Sequence, residues 1–128
     1  MKLRNTLLLL FIISILAYTF WWAYRYAMDS PYRISMDEAK RRLANQQFDL
    51  ILDVRTDAEI RAVGIYPGAV HIPAANLKTG MKSQYRDTSM RILIYCNTGQ
   101  RARNAAEMLH AMGYKNAVYV AGPYQGLL

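Results

Sequence analysis

The chain has 128 residues, 53% of them hydrophobic, and its 16 Lys and Arg against 9 Asp and Glu give a formal net charge of +7. That length allows one domain of ordinary size. The single Cys excludes an internal disulfide, and the two His provide too few ligands for a Cys/His-rich zinc site. The composition leaves three classes open: a small enzyme, a binding module or a membrane-tethered domain.

A long apolar segment near the N-terminus predicts a transmembrane helix. Residues 7–23 carry no charge, and residues 5–24 supply the about twenty residues that an α-helix needs to cross about 30 Å of hydrocarbon. Lys2 and Arg4 precede this segment. An aromatic cluster with one cation follows it, which is typical of a membrane interface: Trp21, Trp22, Tyr24, Arg25 and Tyr26.

This segment divides the chain into an N-terminal flank over residues 1–4, a single-pass membrane anchor over 5–24, a linker over 25–33 and one domain over 34–128. A cleaved signal peptide is the main alternative, and a buried helix of a soluble domain is a weaker one. The apolar run exceeds the about 7–15 residues of a signal peptide core, and no small-x-small cleavage triplet follows it. More Lys and Arg follow the segment than precede it, which favours a cytoplasmic domain.

The remaining cations are scattered, apart from Lys40-Arg41-Arg42 in a predicted amphipathic helix. Such a run is usually a solvated helix face, and no nucleic-acid-binding motif accompanies it. We therefore expect no nucleic-acid partner. A basic side that faces anionic lipid headgroups suits a tethered domain better.

Hydrophobic periodicity after the linker alternates between helix and strand, which predicts an α/β domain with a mostly parallel sheet flanked by helices. Two capping boxes, Ser35-Met36-Asp37-Glu38 and Thr56-Asp57-Ala58-Glu59, open the first two helices of the domain. The predicted helices span residues 35–45, 56–63 and 102–112, the predicted strands span 50–54, 69–72, 91–95 and 116–120, and residues 76–89 form a polar connection.

The strongest strand meets the strongest helix at Cys96-Asn97-Thr98-Gly99-Gln100-Arg101. A lone Cys at a strand end is usually an inert small hydrophobe. This one lies just before a helix N-terminus, where free backbone N–H groups and the helix dipole favour a thiolate. Gly99 permits a bend that turns successive amides inward, and Arg101 adds a positive charge. The pattern indicates a nucleophile within an anion-binding loop.

At these residues the sequence resembles the rhodanese-like sulfurtransferases. The segment from Tyr95 to Ala102, followed by Ala105-Ala106, Leu109 and Gly113-Tyr114, is similar to that family's active-site strand, loop and helix. A second family motif is similar to Asp53-Val54-Arg55 with Glu59, Gly64, Pro67-Gly68-Ala69 and Ile72-Pro73. The resemblance extends over residues 34–122. Two motifs in the right order are much more specific than one C-x4-R pattern.

Three features depart from the family pattern. Gly64-Ile65-Tyr66-Pro67-Gly68-Ala69 stands where the family commonly has Gly-His-Ile-Pro-Gly-Ala, and Gly122-Pro123 replaces a Gly-Gly pair. The chain also stops at Leu128, without the aromatic-bearing tail helix of many members. The nucleophile is retained, so these departures concern the last packing layer and the rim of the site.

The resemblance implies transfer of a sulfane sulfur from a donor such as thiosulfate to cyanide or a thiol, through a persulfide on Cys96. The implied donor-binding loop is Asn97, Thr98, Gly99, Gln100, Arg101 and Ala102. We expect Asp53, Arg55 and Glu59 to form an ion-pair network that fixes the loop after the strand over residues 50–54, and neither His71 nor His110 to act as a general base. No metal or organic cofactor is implied.

Two other functions remain open at this point. A cysteine phosphatase or arsenate reductase uses a similar loop, but those enzymes resemble C-x5-R, and the six-residue loop from Cys96 to Arg101 should be too tight for phosphate. A non-catalytic rhodanese-like module that binds a partner at the membrane is the second alternative. Formation of a persulfide on Cys96 would distinguish the enzyme from this binding module.

Overall fold

Four parallel strands form the centre of the domain in the computed structural model, which describes residues 2–128. Met1, part of the predicted flank, lies outside the described residues. The strand order is β2–β1–β3–β4, with β1 at Leu50–Asp53, β2 at Val70–His71, β3 at Ile92–Tyr95 and β4 at Ala117–Tyr119. All four residues of β3 are buried, because this strand has a neighbour on each side and helices over both faces.

Five α-helices surround or precede this sheet: α1 at Lys2–Met28, α2 at Met36–Ala44, α3 at Asp57–Val63, α4 at Leu77–Gln84 and α5 at Gln100–Ala111. Two 3-10 turns lie at Ala74–Asn76 and Tyr124–Leu127. Ile92 and Ile94 share one core cluster with α4 and α5, whereas Leu93 and Tyr95 share another with α2 and the C-terminal turn. The predicted α/β class, a small parallel sheet between helices, is confirmed.

Side-chain caps start the first two helices of the domain. The Ser35 hydroxyl accepts a hydrogen bond from the Glu38 backbone N–H at 3.1 Å, as predicted. The predicted return contact, from the Glu38 carboxylate to the Ser35 backbone N–H, was wrong, since that carboxylate pairs with Arg41 and Arg42. At α3 the capping box between Thr56 and Glu59 is complete in both directions.

Helix α4 lies where the sequence predicted only a polar connection. Leu77 and Met81 are fully buried and lie four residues apart, so both project from one helix face into the core. Two buried side chains are a weak periodic signal among many polar neighbours, and Gly80 weakens it further. The helix packs closely against the residue after β2 at this point, because a Cβ added to Gly80 would lie 3.1 Å from the Ile72 side chain.

Helix α1 is the one helix within residues 2–128 that is long and apolar enough to cross a membrane. The apolar side chains along most of its length are exposed, so it is not a core helix of the domain. Its C-terminal end continues to Met28 and contacts the domain. Ala27 is buried, and its carbonyl accepts a hydrogen bond from the Tyr119 hydroxyl at 2.5 Å.

Shortening a side chain of β3 should destabilise the domain strongly. Ile94 is fully buried between β1 and β4, so Ile94→Ala should lower the free energy of unfolding by about 2–5 kcal/mol. Val63→Ala, at a position 53% exposed, is the matched control and should change it by less than about 0.5 kcal/mol. Urea unfolding of the full chain in a mild detergent, followed by circular dichroism, measures both. Equal effects of the two variants would contradict this placement of the core.

Candidate active site

Cys96 lies directly after β3, at the carboxyl edge of the sheet where ligands of open α/β domains bind. Its side chain is buried, and its sulfur accepts a hydrogen bond from the Gly99 backbone N–H at 3.1 Å. Helix α5 begins at the next residue, Gln100. The sulfur therefore lies beside a helix N-terminus, where a backbone N–H points at it and the helix dipole has its positive end.

Gly99 allows this arrangement for two reasons. Its φ of 112° lies in the region that residues with a Cβ rarely adopt. The space is also filled, because an added Cβ would lie 2.9 Å from the Ala121 Cβ and 3.1 Å from the Ala27 Cβ. The loop is therefore pressed against the segment after β4 on one side and against the end of α1 on the other.

Glu59, which lies on α3, holds the loop after Cys96 through hydrogen bonds. Its carboxylate oxygens accept hydrogen bonds from both terminal nitrogens of Arg101, at 2.7 and 2.8 Å, and from the Asn97 side-chain amide at 2.9 Å. The contact with Arg101 and the backbone N–H of Thr56 hold the pKa of Glu59 well below its usual value. The same contact raises the pKa of Arg101, so both groups stay charged.

Asp53 and Arg55 form a separate ion pair at the end of β1. Both side chains are buried, with an Arg55 terminal nitrogen 2.7 Å from an Asp53 oxygen. That nitrogen also donates to the Gly64 carbonyl at 2.6 Å, and the guanidinium lies over the rings of Tyr95 and Tyr124. The expected single network of Asp53, Arg55 and Glu59 is thus divided: one pair joins β1 to α3 and the C-terminal turn, and Glu59 alone contacts the loop.

The remaining polar side chains near the loop have structural partners. The Thr98 hydroxyl donates to the Gln100 side chain. His71 Nε2 contacts the Arg55 carbonyl at 2.6 Å, and His110 Nε2 contacts the Ala117 carbonyl at 2.8 Å. Both imidazole rings therefore tie backbone segments together.

The structure also brings helix α1 to the loop, which the sequence did not predict. A cleft of about 260 Å³ lies between Phe20, Ala23 and Tyr24 on α1 and Asn97, Thr98 and Gln100 on the loop. Tyr24 belongs to the aromatic cluster that indicated a membrane interface, but no sequence signal places it beside Asn97, Thr98 and Gln100. A larger groove of about 690 Å³ lies at the amino ends of β3 and β4, away from the sulfur, where Arg41 and Arg42 pair with Glu38 and Arg91 pairs with Asp49.

Comparison with known proteins assigns most of the chain to a single family. The model of the rhodanese-like domain matches residues 35–127. A sulfurtransferase of Allochromatium vinosum is 32% identical over 89 residues, which cover 70% of this chain and 80% of the relative. The human thiosulfate:glutathione sulfurtransferase is 27% identical over 104 residues, with coverage of 72% and 89%.

Solved structures agree with this assignment. A human single-domain sulfurtransferase has a TM-score of 0.64 at 25% identity and covers 76% of this chain and 95% of its own. A rhodanese-like domain protein from Staphylococcus aureus has a TM-score of 0.63 at 32% identity, with coverage of 75% and 90%. A possible tyrosine phosphatase of unknown function from Rhodopseudomonas palustris has a TM-score of 0.69 at 21% identity, with coverage of 82% and 85%, and shows similarity of fold alone.

The ion pair between Glu59 and Arg101 should make stability depend on pH. Because the folded chain lowers the pKa of Glu59 below its usual value of 4.5, the pair stabilises the fold above that pH and this stabilisation is lost as the pH falls below it. Glu59→Gln should therefore lower the urea midpoint at about pH 7 more than at about pH 3. Glu107→Gln, which removes an i,i+4 partner of Arg103, should have a small effect. A Glu59→Gln effect of the same size at both pH values would contradict this assignment.

Proposed function

The chain belongs to the rhodanese-like family, and from this premise we propose that it transfers a sulfane sulfur from thiosulfate to a thiophilic acceptor through a persulfide on Cys96. The observation that carries the proposal is the Cys96 sulfur, held by the Gly99 N–H at the start of α5. A thiolate is a strong nucleophile, and N–H donors at a helix start stabilise anions. We assign the donor-binding role to the loop from Asn97 to Ala102.

In the first half-reaction the Cys96 thiolate attacks the outer sulfur of thiosulfate. A sulfur–sulfur bond forms to Cys96 while the bond between the two thiosulfate sulfurs breaks, and sulfite leaves with the electron pair. The negative charge then resides on the outer persulfide sulfur. The Gly99 N–H, which contacts the Cys96 sulfur, and the start of α5 stabilise this charge, which is the role of an oxyanion hole in acyl transfer.

In the second half-reaction the acceptor removes that outer sulfur. Cyanide or a thiolate forms a new bond to it, the persulfide bond breaks, and Cys96 returns as a thiolate. No proton transfer by a side chain is needed when both sulfur species are anionic. His71 and His110 each hydrogen-bond to a backbone carbonyl instead.

The support network positions the loop in this proposal. Glu59 holds Arg101 and Asn97, which lie on either side of Gly99. Because two Arg101 nitrogens are already bound to Glu59, Arg101 presents only its remaining N–H groups to an anionic donor. We propose that Asp53 and Arg55 act one step further away, by fixing the backbone between β1 and α3.

Removal of the sulfur nucleophile should abolish turnover. The full chain in detergent should produce thiocyanate from thiosulfate and cyanide, and Cys96→Ser should not. Intact mass after thiosulfate treatment should increase by one sulfur atom in the native chain alone. Because Cys96 is the single Cys, the added sulfur can be assigned to it without peptide mapping. If the folded native chain gains no sulfur from thiosulfate, the proposed enzymatic function is wrong and the non-catalytic binding module is favoured.

We also propose that residues 5–24 anchor the protein in a membrane as an uncleaved single-pass helix, with the domain on the cytoplasmic side. The exposed apolar side chains of α1 support insertion, because they would otherwise face water. The contact of the Ala23 carbonyl with the Gln100 side chain supports retention of the helix, because cleavage after the apolar run would remove Ala23.

Charges in the centre of this helix should release the protein from the membrane. Ile13→Arg with Leu16→Arg adds about 2.5–3.5 kcal/mol of insertion cost per residue, so the double variant should shift to the soluble fraction after a carbonate wash. Ile13→Leu with Leu16→Ile is the matched control and should stay with the membrane. The intact mass of the native protein reports cleavage, and antibody access to a C-terminal tag in intact and permeabilised cells reports the side. Release of the native chain by the wash would contradict the anchor.

A further inference from the structure

We propose that the sulfur acceptor is an amphiphilic alkyl thiol, which reaches the Cys96 persulfide through the cleft between helix α1 and the catalytic loop. This inference rests on the proposed function and adds the class of acceptor. It also assigns a substrate-binding role to the end of α1, beyond its role as an anchor.

The cleft borders the catalytic loop directly. Three of the four residues between Cys96 and Arg101 line it, namely Asn97, Thr98 and Gln100. The fourth, Gly99, donates its N–H to the Cys96 sulfur. The opposite wall is Phe20, Ala23 and Tyr24 of α1. A molecule in this cleft therefore lies against the loop that encloses the reactive sulfur.

Direct contacts hold α1 in this position. The Gln100 side-chain amide donates to the Ala23 carbonyl at 3.4 Å. Arg103, in the first turn of α5, donates to the Tyr26 carbonyl and lies 3.8 Å from the centre of the Tyr26 ring. The close approach of Ala27 to Gly99 adds a third contact. The α1 wall is thus fixed by the residues that shape the active site.

The position of the cleft along α1 places it at the membrane surface. Phe20 and Tyr24 belong to the same two turns as the interfacial residues Trp21, Trp22 and Arg25. Tryptophan and tyrosine concentrate at the headgroup level of a bilayer, where an amphiphile keeps its polar end wet and its chain in the hydrocarbon. The cleft would open at that level, with Phe20 76% exposed at its outer end.

The charges of the cleft favour a neutral, apolar occupant. None of the described residues that line it is charged. The nearest loop cation, Arg101, is paired with Glu59 through two hydrogen bonds. Aromatic and alanine side chains on one wall and neutral polar groups on the other fit an alkyl chain that ends in a thiol.

The chemistry balances with such a thiol. The acceptor thiol gives its proton to solvent water, and the resulting thiolate forms a bond to the outer persulfide sulfur. The bond between the two persulfide sulfurs breaks, and Cys96 leaves as a thiolate. The product is an alkyl persulfide, and no external oxidant or reductant is required.

The test compares acceptors of different length with the full chain in phosphatidylcholine vesicles. Thiosulfate is the donor, and linear alkanethiols from ethanethiol to octanethiol are compared with glutathione. Each additional CH2 that enters the cleft should raise kcat/KM about two- to fourfold. Formation of the Cys96 persulfide is followed separately by intact mass.

Variants separate binding in the cleft from simple partition into the vesicle. Phe20→Ser should lower the ratio of octanethiol to glutathione turnover at least about fivefold, and Ala23→Phe, which fills the cleft from the same wall, should also lower it. Trp21→Ser is the matched control, because the next helical residue points about 100° away and does not line the cleft. Its ratio should be close to that of the native chain.

The outcomes distinguish the two proposals. If the persulfide forms but chain length has no effect, or if Phe20→Ser and Trp21→Ser lower the ratio equally, the acceptor class is wrong and the sulfurtransferase stands. If no persulfide forms, both proposals fail. A rise with chain length that is lost in Phe20→Ser and Ala23→Phe alone supports the alkyl thiol.

Discussion

The hydrogen bond from the Gly99 N–H to the Cys96 sulfur is the interaction on which the site depends. It requires the left-handed backbone of Gly99, and this backbone in turn places the first turn of α5 beside the sulfur. The neighbours of the loop enforce the same geometry, since Ala121 and Ala27 leave no room for a side chain at Gly99. A thiol at a strand end becomes a candidate nucleophile because these separate elements converge on one N–H group.

Charge pairing around the loop explains how a basic chain can present a nearly neutral entrance. Arg101 is matched by Glu59, and the buried Arg55 is matched by Asp53. Buried or half-buried cations without partners would be costly, so each has a carboxylate within hydrogen-bond distance. In the proposed reaction, the loop therefore stabilises an anion mainly through backbone N–H groups, of which that of Gly99 contacts the sulfur. Such a loop suits sulfur species, whose charge is diffuse, and leaves the choice of acceptor to the walls around it.

Helix α1 links the membrane proposal to the site. A flexible tether would only raise the local concentration of the domain at a surface, whereas α1 contacts the domain at Ala23, Tyr26 and Ala27. These contacts fix the orientation of the loop after Cys96 relative to the helix axis. The entrance to the site would then face the headgroup layer, so the same residues would serve both attachment and access.

The sequence by itself determined the α/β class, the family, most element positions and the candidate nucleophile, because these follow from local periodicity, capping residues and two contiguous motifs. It failed at α4, whose burial rests on only two side chains, Leu77 and Met81. It grouped Glu59 with Asp53 and Arg55, although α3 turns Glu59 towards the loop. Only the tertiary structure decided that Glu59 pairs with Arg101 and that α1 contacts Gly99. Both join segments more than thirty residues apart, and such contacts depend on the packing angle of whole helices, which no local pattern encodes.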